Sequence, residues 1–339
     1  MDRLLGRVSP VLRLTRVTTA FAAVSNVWFV ILWSLAVPDE HRTGPLTTLP
    51  AWLLLAAGAA NALGLYCFGA CFNDLLDVRR DRALRPERPL ASGQLGVASA
   101  AVLVACTLLV AVLGASAFGT GAVLLTLALA ALVLLFNIAG RFVPGVGLVL
   151  LALIYAGHML TPNPGLRFLW PVWLVMTHAV LVAGATHVLA RKNPIVSLRA
   201  WLFTALGWAG WSIGLFVLAW SRSGRPPPGA PPGAPGTAGE LWPEWIPATA
   251  GIGPAILAVV FIALAIQKAR HAGLGPRSAD KIYRYGSLWL AAYNAAWAFG
   301  AGLVREGLIL SAVAGVGLVA MTTLRELYGL AEQPVGYRR

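Results

Sequence analysis

Acidic side chains are scarce in this chain: Asp and Glu number 13 in 339 residues, against 26 Lys and Arg. Charged residues of both signs reach only 12%, where an ordinary soluble domain carries about 25%. With 58% hydrophobic residues and a mean hydropathy of +0.74, the composition excludes a soluble globular protein and indicates an integral membrane protein. Cysteine is nearly missing. Cys67, Cys71 and Cys106 all fall inside apolar runs, so a disulfide scaffold is excluded, and with no His or acid beside Cys67 and Cys71 a thiolate metal site has no partners. Four residues apart, these two read as small side chains that ease helix packing. His158 and His178 have no acidic neighbour in sequence and read as helix-to-helix hydrogen-bonding groups.

What is abundant is apolar sequence in long runs. A spanning helix needs about 20 largely apolar residues, and ten stretches qualify: Val17–Val37, Leu49–Phe72, Val97–Ser116, Gly119–Ala139, Val143–Thr161, Trp170–Ala190, Ala200–Trp220, Ile246–Gln267, Tyr285–Val304 and Gly307–Leu324. The turns near Ala117 and Arg305 are short enough that nine spans is the alternative count. The net charge of +13 follows topology and does not signal nucleic acid. With the N-terminus cytoplasmic, 21 of the 26 Lys and Arg lie on the cytoplasmic side, as the positive-inside rule requires. The first run is longer than a signal-peptide core and lacks a small-x-small cleavage site, so it reads as a retained helix. The tryptophans, among them Trp33, Trp170, Trp201 and Trp220, fall near span ends and read as interfacial anchors.

One outer segment, Ser221 to Trp245, is rich in Pro and Gly and reads as an irregular spacer loop. No other linker divides the chain, so residues 1–339 form one membrane domain: an all-α polytopic bundle of nine or ten helices.

Against the general shortage of acids, one stretch concentrates them. "FNDLLDVRRDRALRPERPLASG", Phe72 to Gly93, holds four acids and five arginines at the inner end of the second run. On a continuing helix Asn73, Asp74, Asp77 and Asp81 share an arc of about 100°. Carboxylates so placed repel one another and need a cation. Either the neighbouring arginines neutralise them or a divalent metal does. Oxygen donors on one face with open positions suit magnesium bridged to a phosphate, and arginines suit the phosphate oxygens.

These residues resemble a known family. "NDLLDVRRD" fits the NDxxDxxxD signature of the UbiA superfamily of intramembrane prenyltransferases, and "RPERPLASG" resembles its RPxRPLxSG continuation; "RLTR" before the first run and the helix count agree. The resemblance implies a helical bundle around a central cavity, with the Asp-rich loop over its cytoplasmic end. It implies Mg2+-dependent transfer of a prenyl group from an allylic prenyl diphosphate to an aromatic or other lipophilic acceptor. Carried over by motif position, Asn73, Asp77 and Asp81 are the catalytic, metal-holding residues, with Asp74 a fourth ligand. Arg85 and Arg88 steady the loop or the phosphates, and Arg141, in "FNIAGR", is a further substrate-binding candidate. The implied setting is the bacterial cell membrane.

The second Asp-rich motif of that family is missing. "GATHVLARKNP", Gly184 to Pro194, carries no acid. Two explanations compete: Arg191 and Lys192 bind diphosphate in place of a second metal, or the chain binds or transports a lipophilic metabolite without diphosphate chemistry. "SADKIYRYGSLWLAAYNAAWAFGAG" resembles an EboC-like branch that also lacks this motif, and makes Asn294 a substrate-binding candidate. Asn26 and Asn137 are further cavity-facing candidates. Membrane lipids, a prenyl diphosphate and a lipophilic acceptor are the expected partners, and nucleic acid is not.

Overall fold

The computed structural model describes residues 10–16, 20–37, 40, 42, 44–223 and 239–332. Residues 224–238 of the Pro- and Gly-rich segment, and the terminal arginines Arg3, Arg7, Arg338 and Arg339 assigned to the cytoplasmic side, lie outside them.

Among the described residues ten helices of sixteen residues or more follow one another: α1 Phe21–Ala36, α2 Ala51–Leu84, α3 Val97–Ser116, α4 Thr120–Ile138, α5 Pro144–Leu160, α6 Trp170–Leu189, α7 Leu198–Ser223, α8 Ile252–Ala272, α9 Pro276–Gly300 and α10 Val304–Glu332. Each corresponds to one predicted run. The two short turns do separate helices. Gly119 at φ +95° and Gly302 at φ +80° occupy the left-handed region that L side chains avoid, and there α3 breaks from α4 and α9 from α10.

Seven of the ten are long and apolar enough to cross a membrane. Two more, α1 and α5, are apolar but only 16 and 17 residues long. The last, α9, begins nine residues before its predicted run. Its first turns carry Arg277, Asp280, Lys281 and Arg284, with Arg284 and Asp280 paired at 2.9 Å one turn apart. The extension is therefore polar and self-paired, which hid it from a search for apolar runs. The second run likewise continues as helix for twelve residues past Phe72, carrying the whole Asp-rich motif on α2.

Helix α1 sits at the centre, against α2, α5, α9 and α10. Twelve of its sixteen residues are buried. In a bilayer, lipid competes equally well for apolar surface, so close packing and interhelical hydrogen bonds hold such a bundle together. The polar residues of α1 supply the bonds. Asn294 Nδ2 on α9 donates to Asn26 Oδ1 at 2.8 Å and Ser25 Oγ at 3.2 Å, and Asn163 Nδ2 donates to Ser34 Oγ at 2.9 Å. Asn26 and Asn294 thus pair across helices, and Asn137 donates to Val133 O of its own helix. Trp33, expected at the interface, is instead 2% exposed: its indole donates to the buried Glu40 at 3.2 Å and stacks on Phe168.

Helices α2 and α3 make the most intimate contact. A Cβ on Gly114 would lie within 2.6 Å of Ala57 O and closer still to Asn61 N. Asn61 Nδ2 exploits that approach, donating to Ala111 O on α3 and Thr126 Oγ1 on α4, each at 3.0 Å. Gly114→Val forces backbone against backbone, and overpacking of this kind costs about 1–3 kcal/mol or more. We expect a clear fall in the thermal midpoint of the purified protein in detergent, followed by size-exclusion fluorescence; an unchanged midpoint would refute this close packing.

Candidate functional site

The aspartates of α2 come to rest among arginines from three other segments. Asp74 Oδ1 accepts from Arg16 Nη2 at 2.5 Å, from Arg88 Nη1 at 3.3 Å and from Asn73 Nδ2 at 3.1 Å. The same Arg88 nitrogen donates to Asp81 Oδ2 at 2.6 Å. Arg141 Nη1 donates to Asp77 Oδ2 at 2.8 Å and to Asn73 Oδ1 at 3.3 Å. The sequence-adjacent arginines Arg79, Arg80 and Arg82 are exposed, and the partners come from elsewhere.

Local chemistry explains each placement. The α2 helix closes at Arg85, whose N–H bonds Asp81 O at 2.7 Å. The RPERPLASG turn then folds back so that Arg88 reaches two carboxylates on α2. Asp74 and Asp81 are buried, at 6% and 5% exposure, so their neutralisation is a structural need. Arg141 sits in the one-turn 3-10 helix Gly140–Phe142 between α4 and α5. Gly147 permits that turn to lie on the start of α5, because any Cβ there would strike Gly140 O. Arg141 Nε is buried and has no hydrogen-bond partner among the described residues.

A second group of cations approaches from the end of α6. Lys192 N–H bonds His187 O at 3.2 Å, closing the helix with Arg191 at φ +48° in the position usually held by glycine. The other non-glycine residue at positive φ among the described residues is Arg16, at +49°. An L side chain there costs about 1–2 kcal/mol, and strain of this kind gathers at functional sites. The ammonium of Lys192 is held below its ordinary pKa by withdrawal from water and then by the charges of Arg85 and Arg16. None of Arg85, Arg191 and Lys192 makes an ion pair among the described residues. All three are exposed.

The expected metal set is not assembled as one cage. Among the described residues no three His, Cys, Asp or Glu side chains lie close enough to hold a metal ion. Asp74, expected as a ligand, is surrounded by three donors and acts as a joint between Arg16, Arg88 and Asn73. Asp77 and Asp81, one turn apart, each have one oxygen engaged by arginine. The donor set is all oxygen. It fits magnesium in the open mode, in which one or two carboxylates, waters and substrate phosphates share the ion. The structure brings Asn73, Asp74, Asp77, Asp81, Arg88 and Arg141 together, with Lys192 close enough to feel Arg85 and Arg16. It does not bring in Asn294, whose hydrogen bonds join α9 to α1. Arg16 is the participant that sequence reasoning left without a role, although "RLTR" before the first run was its signal.

No family model and no curated protein matches the chain. Among solved structures it is similar to digeranylgeranylglyceryl phosphate synthase, at 17% identity and a TM-score of 0.52, over 88% of this chain and 99% of the synthase. It is also similar to a UbiA homologue from Archaeoglobus fulgidus bound to GPP and Mg2+, at 14% identity, TM-score 0.43 and 92% and 99% coverage. A UbiA homologue from Aeropyrum pernix gives 17% identity, TM-score 0.42 and 90% and 97% coverage. The likeness to the synthase establishes a shared fold.

The crowding of Lys192 is testable. Arg85→Ala removes a charge that disfavours the ammonium, so the pKa of Lys192 rises and less free amine exists at pH 9. Labelling of Lys192 by an amine-reactive reagent, followed by mass spectrometry, is expected to slow. Unchanged or faster labelling would separate the two cations.

Proposed function

We propose that the chain is a UbiA-type membrane prenyltransferase that binds an allylic prenyl diphosphate between the Asp77–Asp81 face of α2 and the cations Arg141, Arg85, Arg191 and Lys192. The observation that carries this reading is the exposed cluster of Arg85, Arg191 and Lys192, without an ion pair among the described residues, beside a carboxylate face already furnished with arginine. The shared fold with digeranylgeranylglyceryl phosphate synthase supports the reaction class, as does the sequence stretch from Asn73 to Gly93.

Asn73, Asp77 and Asp81 would hold the magnesium ion, which when bound offsets the charge of the departing diphosphate. The rest belongs to the chain. Arg141 presents a buried N–H with no acceptor, a ready donor to a phosphate oxygen. Lys192 and Arg191 stand where a second Asp-rich motif would bring a second metal, and supply positive charge directly. As the allylic C–O bond breaks, its electron pair leaves with the diphosphate and these cations stabilise the new charge. The acceptor then forms the new bond to the allylic carbon and releases a proton. Arg88 is engaged by two carboxylates and keeps the loop closed over the site.

A second reading rests on the same arginines: since every aspartate of the motif is already paired, the bundle carries a lipophilic metabolite without breaking a bond. Release separates the two. Purified protein in lipid, given geranyl, farnesyl or geranylgeranyl diphosphate with a panel of phenolic and lipid-alcohol acceptors, is expected to release pyrophosphate only with Mg2+. Asp77→Ala and Asp81→Ala are each expected to lower the rate roughly 100-fold or more, the scale of losing one preorganised electrostatic group. Diphosphate binding without release across the panel would favour the carrier, and neither binding nor release would overturn the prenyltransferase reading and leave only the fold.

A further inference from the structure

One side chain holds two of the three residues assigned to the metal. Arg141 Nη1 donates to Asp77 Oδ2 at 2.8 Å and to Asn73 Oδ1 at 3.3 Å. Asn73 has a single side-chain oxygen to give, so a divalent ion bound through it would meet the guanidinium at contact distance. Two positive charges that close, away from bulk water, repel strongly. Arg141 and a divalent ion therefore compete for the same face of α2.

The three arginines of the site differ in what they would leave behind. Arg16 and Arg88 both reach Asp74, and Arg88 also holds Asp81. The side chains of these two aspartates are 8% exposed, and parting them from arginine leaves a buried charge without a partner. Asp77 is the most open of the three, at 13%, and Arg141 forms its one ion pair among the described residues with it. The guanidinium carbon of Arg141 also lies 4.8 Å from the centre of the Phe142 ring, a face that attracts it whether or not a carboxylate is near. The backbone beneath is fixed. Gly140 is buried, and its carbonyl lies so close to Gly147 of α5 that no Cβ fits between them. Release of Asp77 thus needs only rotation of one side chain, whereas release of Arg88 would uncover two aspartates at once.

We propose that Arg141 is an exchangeable counter-ion: it neutralises the Asn73 and Asp77 face, gives up both oxygens when a divalent cation binds, and turns its freed donors to the diphosphate. The inference rests on the reading of Asn73 and Asp77 as metal ligands. Its consequence is coupling through one side chain. A metal binds weakly while Arg141 has no other anion, and an anion that draws Arg141 away raises metal affinity; by linkage the metal raises the affinity of that anion by the same factor.

The test uses full-length protein in phosphatidylcholine nanodiscs without any diphosphate, with Mn2+ binding read by electron paramagnetic resonance and Asp77→Ala as the blank. Arg141→Ala is expected to bind Mn2+ about tenfold more tightly than wild type, the scale of one charge-assisted hydrogen bond. Arg85→Ala removes an exposed cation that pairs with neither ligand, and is expected to change the affinity far less because such charges are screened. A second readout needs no change at Arg141. Its modification by phenylglyoxal, followed by mass spectrometry, is expected to speed several-fold on adding Mg2+ alone, and in Asp77→Asn to be faster than wild type and insensitive to Mg2+. Equal Mn2+ affinity in wild type and Arg141→Ala would overturn the proposal, as would equal gains from Arg141→Ala and Arg85→Ala, binding in neither, or Arg141 modification indifferent to bound metal. Mg2+-dependent release of pyrophosphate beside any of these would leave the prenyltransferase reading standing, and exchange at Arg141 without release would do the reverse. If Arg141→Ala fails to fold, modification of the wild-type chain decides alone.

Discussion

The Asp-rich end of the molecule is governed by the cost of leaving carboxylates near a bilayer without counter-charge. Asp74 and Asp81 are buried, and breaking one partner of a buried ion pair typically costs about 3–5 kcal/mol, because the remaining charge stays uncompensated. The fold meets that constraint with arginines drawn from distant parts of the chain. Arg16 precedes α1, Arg88 follows α2 and Arg141 lies between α4 and α5. Neutralisation therefore ties three connecting segments to one face of α2. The same geometry sets out oxygen donors beside cations, which is the arrangement an anion with a divalent metal requires.

The second half of the chain offers no acidic counterpart to the Asp-rich stretch: Gly184 to Pro194 carries no acid. The end of α6 turns through Arg191 in a left-handed conformation and offers Lys192. Positive charge gathers there instead, and withdrawal from water, followed by repulsion from Arg85 and Arg16, lowers the pKa of Lys192. A bound anion would relieve that repulsion, whereas a bound metal would add to it. In the proposed reading, the carboxylate face and the cationic face are complementary parts of a site for a single charged headgroup.

The opposite end of the bundle is apolar and aromatic. Phe168 stacks on Trp33 and meets Trp242 and Trp297 edge-on. Charge pairing organises one end and aromatic packing the other. The tightly joined α2–α3 pair and the central α1 hold them in one frame.

The Asp-rich stretch, the ten apolar runs and their order were legible in the sequence, because helix length and charge distribution are local properties. So was the joint membership of Asn73, Asp77 and Asp81 on one helical face, since that follows from 100° per residue. Other features were hidden. The polar first turns of α9 broke the apolar pattern, and Trp33 near a span end looked like an interfacial residue although it is buried. Tertiary structure alone decided which arginine meets which aspartate, because Arg16, Arg88 and Arg141 are separated by up to 125 positions and no local spacing encodes their convergence. It also decided that Asn294 bridges α9 to α1, and that Trp297 is buried against Phe168 and Trp242. A sequence specifies the groups a residue carries, while the partners of those groups depend on which helices pack together.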